Sequence, residues 1–230
     1  VSQPQPDAAT VGAPLSAEVV TVRPSGKQRH LTLSVPGEPG ARPGQFLVLP
    51  PRPGAGTVLP GQWWLAGSRY ERRVGTSWEV LLTETQAGEH DASWGPVLPG
   101  AVLPVRGPQG RGFALPRSTV PAVLVGDARA AGPLGWLARL LTERGCPVRL
   151  LLVEDGEPPD VAALGRQTEE LVLRESADPG QLTEETGRLL AAARAPVAYA
   201  AGSPAVVRAV ARAAASGGAH AQVTVYRPGA

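Results

Sequence analysis

Val123-Leu-Val-Gly-Asp-Ala-Arg-Ala-Ala-Gly-Pro-Leu-Gly-Trp-Leu-Ala-Arg-Leu-Leu141 joins an apolar strand to a glycine-bearing turn and then to an amphipathic helix. A strand, turn and helix in that order open an α/β domain. The unsatisfied N–H groups at the helix start can meet a phosphorylated ligand. Leu134, Leu137 and Leu141 recur at i, i+3 and i+7, a stripe suited to packing on a sheet. Asp127 and Arg129 stand where a phosphate-cradling loop would carry further glycines. Two readings stay open: the loop takes an anion, or Asp127 or a following residue caps the helix and closes the site.

Downstream the alternation continues. Strands are expected at Pro121–Val125, Val148–Val153, Glu170–Leu173, Val197–Ala200 and Gln222–Tyr226. Helices are expected at Gly132–Glu143, Gly180–Ala193 and Pro204–Ser216, with a short one near Asp160–Gly165. Continuous apolar strands between amphipathic helices imply a parallel sheet covered on both faces. Upstream, strand-like runs at Ala17–Arg23, His30–Val35, Gln45–Leu49, Trp63–Ala66, Ser77–Thr83 and Ala101–Arg106 are separated by Pro/Gly turns. That punctuation predicts a small barrel or sandwich. The fold class read from the chain is therefore α+β with two domains: an N-terminal antiparallel β-barrel, then an α/β domain with a five-stranded parallel sheet. The expected divisions are a flexible segment at 1–14, the barrel at 15–118 and the α/β domain at 119–230.

Apolar residues at 43% and charged residues at 18% fit a soluble globular protein. One lysine and twenty-one arginines are spread along the chain, which argues against nucleic-acid binding. The single cysteine, Cys146, excludes an internal disulfide, a Cys-rich zinc site and a cysteine-ligated iron–sulfur cluster within this chain. No apolar run is long enough to span a bilayer and no signal peptide opens the sequence, so a cytoplasmic protein without a membrane partner is expected.

Four segments carry a resemblance. Pro43-Gly44-Gln45-Phe46, Gly107-Pro108-Gln109-Gly110-Arg111-Gly112-Phe113-Ala114-Leu115-Pro116, Val125-Gly126-Asp127 through Gly132-Pro133, and Ala200-Ala201-Gly202-Ser203-Pro204 occur in that order. They resemble the PGQF, GPxGxGFxLP, GGGxGxxP and CGP motifs of the ferredoxin–NADP reductase superfamily. The likeness is greatest to its dihydroorotate dehydrogenase electron-transfer subunits. The resemblance implies FAD held between the domains, lined by Trp63, Trp64, Leu65 and Ala66. It implies NAD(P)H cradled by Gly126, Asp127, Gly132, Pro133 and Gly202. Electrons would pass to a dihydroorotate dehydrogenase-like catalytic subunit in pyrimidine biosynthesis, in an assembly that allows a homodimer.

The departures fall on functional positions. The family's Arg-x-Tyr-Ser flavin strand reads Gln62-Trp63-Trp64-Leu65-Ala66, without its arginine and serine. A shifted register would use Arg69 and Tyr70, although Ser68–Gly75 reads better as a hairpin loop. The family's phosphate-binding helix start is matched by Gly88-Glu89-His90-Asp91-Ala92-Ser93-Trp94, whose carboxylates oppose a diphosphate. Ala201 replaces the family's cysteine, and the sequence stops at Ala230, where the cluster-binding Cys-rich tail would begin. These losses favour an alternative: a non-redox member of the fold that has lost tight cofactor binding and acts as a binding or partner-interaction protein.

The remaining candidates have plain readings. Of Trp63 and Trp64, alternation lets one face the barrel interior; the other either stacks a flavin or, the favoured reading, packs under a loop or at an interface. His90, Asp91 and Ser93 are loop neighbours without the geometry of a triad. No metal-ligand spacing involves His30 or His220, and no catalytic residue is assigned. Arg69, Arg72 and Arg73 read as an exposed hairpin, and Glu169-Glu170 and Glu184-Glu185 as solvated charges.

Overall fold

The computed structural model describes residues 14–25, 28–37, 40–50, 61–72, 75–83, 87–88, 95–153, 164–174 and 178–225. The expected lead-in before Pro14, the His90–Ser93 loop, Arg73, Tyr226 and most of the short helix near Asp160–Gly165 lie outside the described residues. The first domain is a closed antiparallel barrel of β1 (Leu15–Ser25), β2 (Gln28–Val35), β3 (Phe46–Leu49), β4 (Gly61–Glu71), β5 (Gly75–Thr83) and β6 (Val102–Gln109). Its strand order is β1-β2-β5-β4-β3-β6, with β6 pairing back onto β1. Strict alternation builds it: Leu31, Leu33 and Val35 of β2 and Trp78, Val80 and Leu82 of β5 are buried in one cluster. The residues between them face outward.

The hairpin differs from expectation. Ser68–Glu71 are strand, not loop, and pair with Gly75–Trp78. Ladder hydrogen bonds need no apolar side chain, so the ribbon continues where the hydrophobic signal has stopped. A bulge at Ala66, between the Leu65↔Val80 and Gly67↔Glu79 pairs, puts Gly67 opposite Glu79 on the outer face.

Two of the quoted motifs form one corner. The Phe113 N–H donates to the Pro43 carbonyl at 2.7 Å. Gly44 has φ +83°, and a Cβ there would meet the Phe113 ring at 2.9 Å. Phe113 then enters the α/β core edge-on to Tyr199, centroids 5.5 Å apart. The Tyr199 hydroxyl donates to the Ala114 carbonyl at 3.1 Å. Burial, and then the neighbouring Cys146, push Tyr199 up to about 12, so it remains a donor at neutral pH.

The second domain is a parallel sheet of β7 (Ala122–Asp127), β8 (Val148–Val153), β9 (Glu170–Arg174), β10 (Val197–Gly202) and β11 (His220–Val225). Its order is β11-β10-β7-β8-β9. Helix α1 (Ala131–Glu143) covers one face; α2 (Pro179–Ala191) and α3 (Pro204–Gly217) cover the other. On α1, Leu134, Leu137, Ala138 and Leu141 face the sheet, whereas Trp136 is buried in the barrel cluster. The helix is therefore apolar on two sides and fills the seam between the domains. Glu170 and Glu185 are not simply solvated. Arg188 bridges them at 2.8 and 2.9 Å, with Arg149 on Glu170 and Arg174 on Glu185. Among the described residues no helix is long and apolar enough to cross a membrane.

Candidate functional site

Strand order reverses between β7 and β10, because the chain runs outward from β7 through β8 to β9 and then returns to the other side of β7 at β10. The crevice outside the carboxyl ends of such strands is where open α/β sheets take ligands. Here it is bounded by Gly126 and Asp127 from β7, Gly202 from β10 and Ser203 at the N-cap of α3. The Ser203 N–H donates to Asp127 Oδ2 at 2.7 Å. Asp127 stands at the N-cap position of the short 3-10 turn that follows it without a side-chain capping hydrogen bond; its carboxylate crosses to the start of α3, 76 residues away. A helix start supplies aligned N–H groups and a positive dipole end, so a carboxylate satisfies it as a phosphate would.

The glycines allow this closeness. Gly202 has φ +131°, and a Cβ there would lie 2.7 Å from Asp127 Cγ. A Cβ on Gly126 would lie 2.9 Å from the Ala201 carbonyl oxygen. Burial pushes the Asp127 carboxyl above its ordinary value, while the Ser203, Ala130 and Arg129 amides and the Arg129 guanidinium pull it down. Its Oδ1 is buried with no hydrogen-bond partner. Across the domain boundary, Gln28 Nε2 donates to the Ala128 carbonyl at 3.2 Å and ties the loop to the barrel.

The other candidate residues separate into three environments. Trp63 and Leu65 point into the barrel core. Trp64 is on the outer face, edge-on to Phe46 with centroids 5.7 Å apart and an interplanar angle of 66°. Ala66 meets the first turn of α1, where a Cβ on Gly132 would be 3.1 Å from Ala66 Cβ. Gly132 therefore packs at the domain seam, and Pro133 beside it is buried. On the outer face of the barrel Arg106, Val48 and Gln62 form one cross-strand row, and Gln109, Phe46 and Trp64 the next. Arg106 Nε and Trp64 Nε1 are buried donors without partners among the described residues. Gln28, Arg106 and Trp136 escaped the sequence reading. Only Trp136 left a signal, an indole off the Leu134–Leu137–Leu141 stripe of a helix expected to have one apolar face.

A closed antiparallel barrel, followed by a parallel sheet with its crevice at β7 and β10, is the ferredoxin reductase-like fold. Solved structures with this architecture include a cytochrome P450 reductase from Amycolatopsis, at 21% identity, covering 97% of this chain and 74% of that one with a TM-score of 0.68. A ferredoxin reductase of carbazole 1,9a-dioxygenase matches at 20% identity, covering 96% and 69% with a TM-score of 0.72. The ferredoxin-NADP+ reductase of Plasmodium falciparum matches at 13% identity, covering 93% and 96% with a TM-score of 0.67. At these identities the likeness is one of fold. No protein-family model and no curated protein matches the sequence.

Proposed function

We propose that this chain is a ferredoxin reductase-like electron-transfer protein that binds a flavin on the outer face of β3, β4 and β6 and exchanges electrons with a separate redox partner. The observation that carries the reading is the combination on that face of the Phe46–Trp64 ring pair with two buried, unpartnered donors, Trp64 Nε1 and Arg106 Nε. A buried donor without an acceptor is costly, and a flavin, with carbonyl oxygens on its ring and phosphate oxygens on its side chain, would offer acceptors to both. Gln62 stands where the resemblance implies an arginine, and Arg106, two strands away in the same row, supplies a cation. When bound, a flavin supplies one- and two-electron chemistry; the chain supplies orientation and electrostatics.

The crevice at β7 and β10 does not fit a nicotinamide nucleotide in the same way. Asp127 already holds the Ser203 amide, and its negative charge opposes a diphosphate. Electrons on this reading reach the flavin from a protein partner. The motif resemblance makes a dihydroorotate dehydrogenase-like catalytic subunit the first to test. A second reading, favoured by that Asp127 bond, is a non-redox partner-interaction protein on the same fold.

The purified protein is expected to be yellow, absorbing near about 450 nm with roughly one FAD per chain, a property of the cofactor itself. Arg106→Ala is expected to weaken FAD uptake severalfold. Colourless protein that takes up no added FAD overturns the first reading in favour of the second.

A further inference from the structure

We propose that the Glu79 carboxylate is a pH-sensitive link between the two domains, shared by His30 of the barrel and Arg139 of α1, and weakened when His30 takes up a proton. The link lies in the seam, separate from the β7/β10 crevice and independent of the flavin reading. The sequence places its three members. Pairing of β2 with β5 sets Thr32 opposite Glu79 and His30 opposite Leu81, so His30 and Glu79 are diagonal neighbours on the outer face of the barrel. His30 Nε2 lies 3.8 Å from Glu79 Oε2. On α1, Gly132, Gly135, Trp136 and Arg139 fall at i, i+3, i+4 and i+7, so Arg139 stands on the side that meets the barrel. His30, Glu79 and Arg139 line one cavity of about 270 Å³.

Gly67 leaves the carboxyl room to lie against β4, since a Cβ there would be 2.9 Å from Glu79 Cδ. The charged groups that act on Glu79 among the described residues are His30 on β2, Arg69 on β4 and Arg139 on α1. The His30 imidazole foremost, with lesser pulls from Arg139 and Arg69 and against partial burial, holds the Glu79 carboxyl below its ordinary value. Glu79 therefore stays negative across the range of about pH 5 to 8 in which histidine side chains change charge. With His30 neutral, Glu79 attracts Arg139 across the seam. A proton on His30 sets a second cation beside Glu79, and its repulsion of Arg139 offsets that attraction. Arg69 keeps its charge throughout and lies 3.6 Å from Glu71. The His30 and Glu79 side chains are 31% and 40% exposed, so the effect is modest and salt-sensitive. Burial of Trp136 in the barrel cluster persists at either charge, so the loosening is local to α1 rather than a separation of the domains.

The test is amide hydrogen exchange of α1 in the full chain, read by mass spectrometry and divided at each pH by the intrinsic rate. At low salt, protection of α1 is expected to fall about two- to fivefold between about pH 8 and about pH 5.5. The fall is expected to vanish in about 1 M salt. It is also expected to be absent from His30→Gln, which takes up no proton, and from Arg139→Gln, which leaves Glu79 no cation on α1. Protection of α1 that does not change with pH in the wild-type chain overturns the proposal. So does a fall of the same size in either variant, or one that persists at high salt. The salt series needs no variant, so it stands even if a substitution prevents folding. The exchange is run without flavin, so a failure to bind FAD leaves its outcome unaffected.

Discussion

Two hollows border helix α1, and the chain treats them in opposite ways. At the strand ends the crevice is occupied from within: Asp127 reaches the amide that begins α3, and Gly202 leaves room for it. Along the barrel seam, Gly132 and Gly135 border a cavity of about 270 Å³ that no side chain among the described residues fills. A helix start meets an internal carboxylate in the first; the second has an apolar floor of Ala66, Leu81, Trp136 and Leu164. The lesson is that a hollow at the usual ligand position of a fold can be closed from within while another along the same helix stays open.

The sharpest way to break this contrast is to remove the wall the seam depends on. Trp136→Ala should cost about 3–5 kcal/mol in denaturant unfolding, as a buried indole leaves a cavity at the domain boundary. A loss below about 1 kcal/mol would mean the barrel and α1 are not held together as described.

Next comes the crevice itself. Asp127→Gly should lower stability by about 1–3 kcal/mol, because the Ser203 amide loses its charged acceptor. It should also raise affinity for NADH or NADPH, measured by calorimetry, by removing the opposing charge. Unchanged nucleotide affinity would show that Asp127 does not govern the crevice. The pH profile sharpens the point. With the folded-state carboxyl above its ordinary value, the folded chain holds that proton more tightly than the unfolded one. Its contribution is therefore complete below the unfolded value of about 4 and is lost as pH rises through the folded value. Asp127→Asn should lack that decline, and parallel stability profiles for the two proteins would contradict the burial of the charge.

A smaller effect is expected at the clasp between the domains. Gln28→Ala should cost about 0.5–1.5 kcal/mol, because one hydrogen bond to the Ala128 carbonyl is lost while an unpartnered oxygen is also removed. The smallest belongs to the far edge of the sheet. Arg188→Ala breaks exposed ion pairs to Glu170 and Glu185, so any change in melting should disappear at high salt and leave both hollows untouched.

Much of the scaffold could be read from one dimension. Alternation at Leu31, Leu33 and Val35 and at Trp78, Val80 and Leu82 is enough for a barrel wall. The run from Val123 to Leu141 is enough for an α/β opening. Such patterns are local, since side chains two or four residues apart share a face whatever lies opposite. The hairpin departs from its local pattern for the same reason: Ser68–Glu71 carry no apolar period, and their strand character rests on backbone pairing with Gly75–Trp78.

The sequence by itself therefore determined the order of strands and helices, the two-domain architecture and the residues brought to each loop. The tertiary structure decided which partner each polar group found. Asp127 could have capped its own helix, yet its carboxylate meets an amide 76 residues away, because the sheet order sets β7 beside β10. Trp136 could have been a surface indole, yet the barrel covers it. Local periodicity follows from covalent spacing, whereas the pairing of a charge, a glycine and a helix start depends on the distances that folding creates.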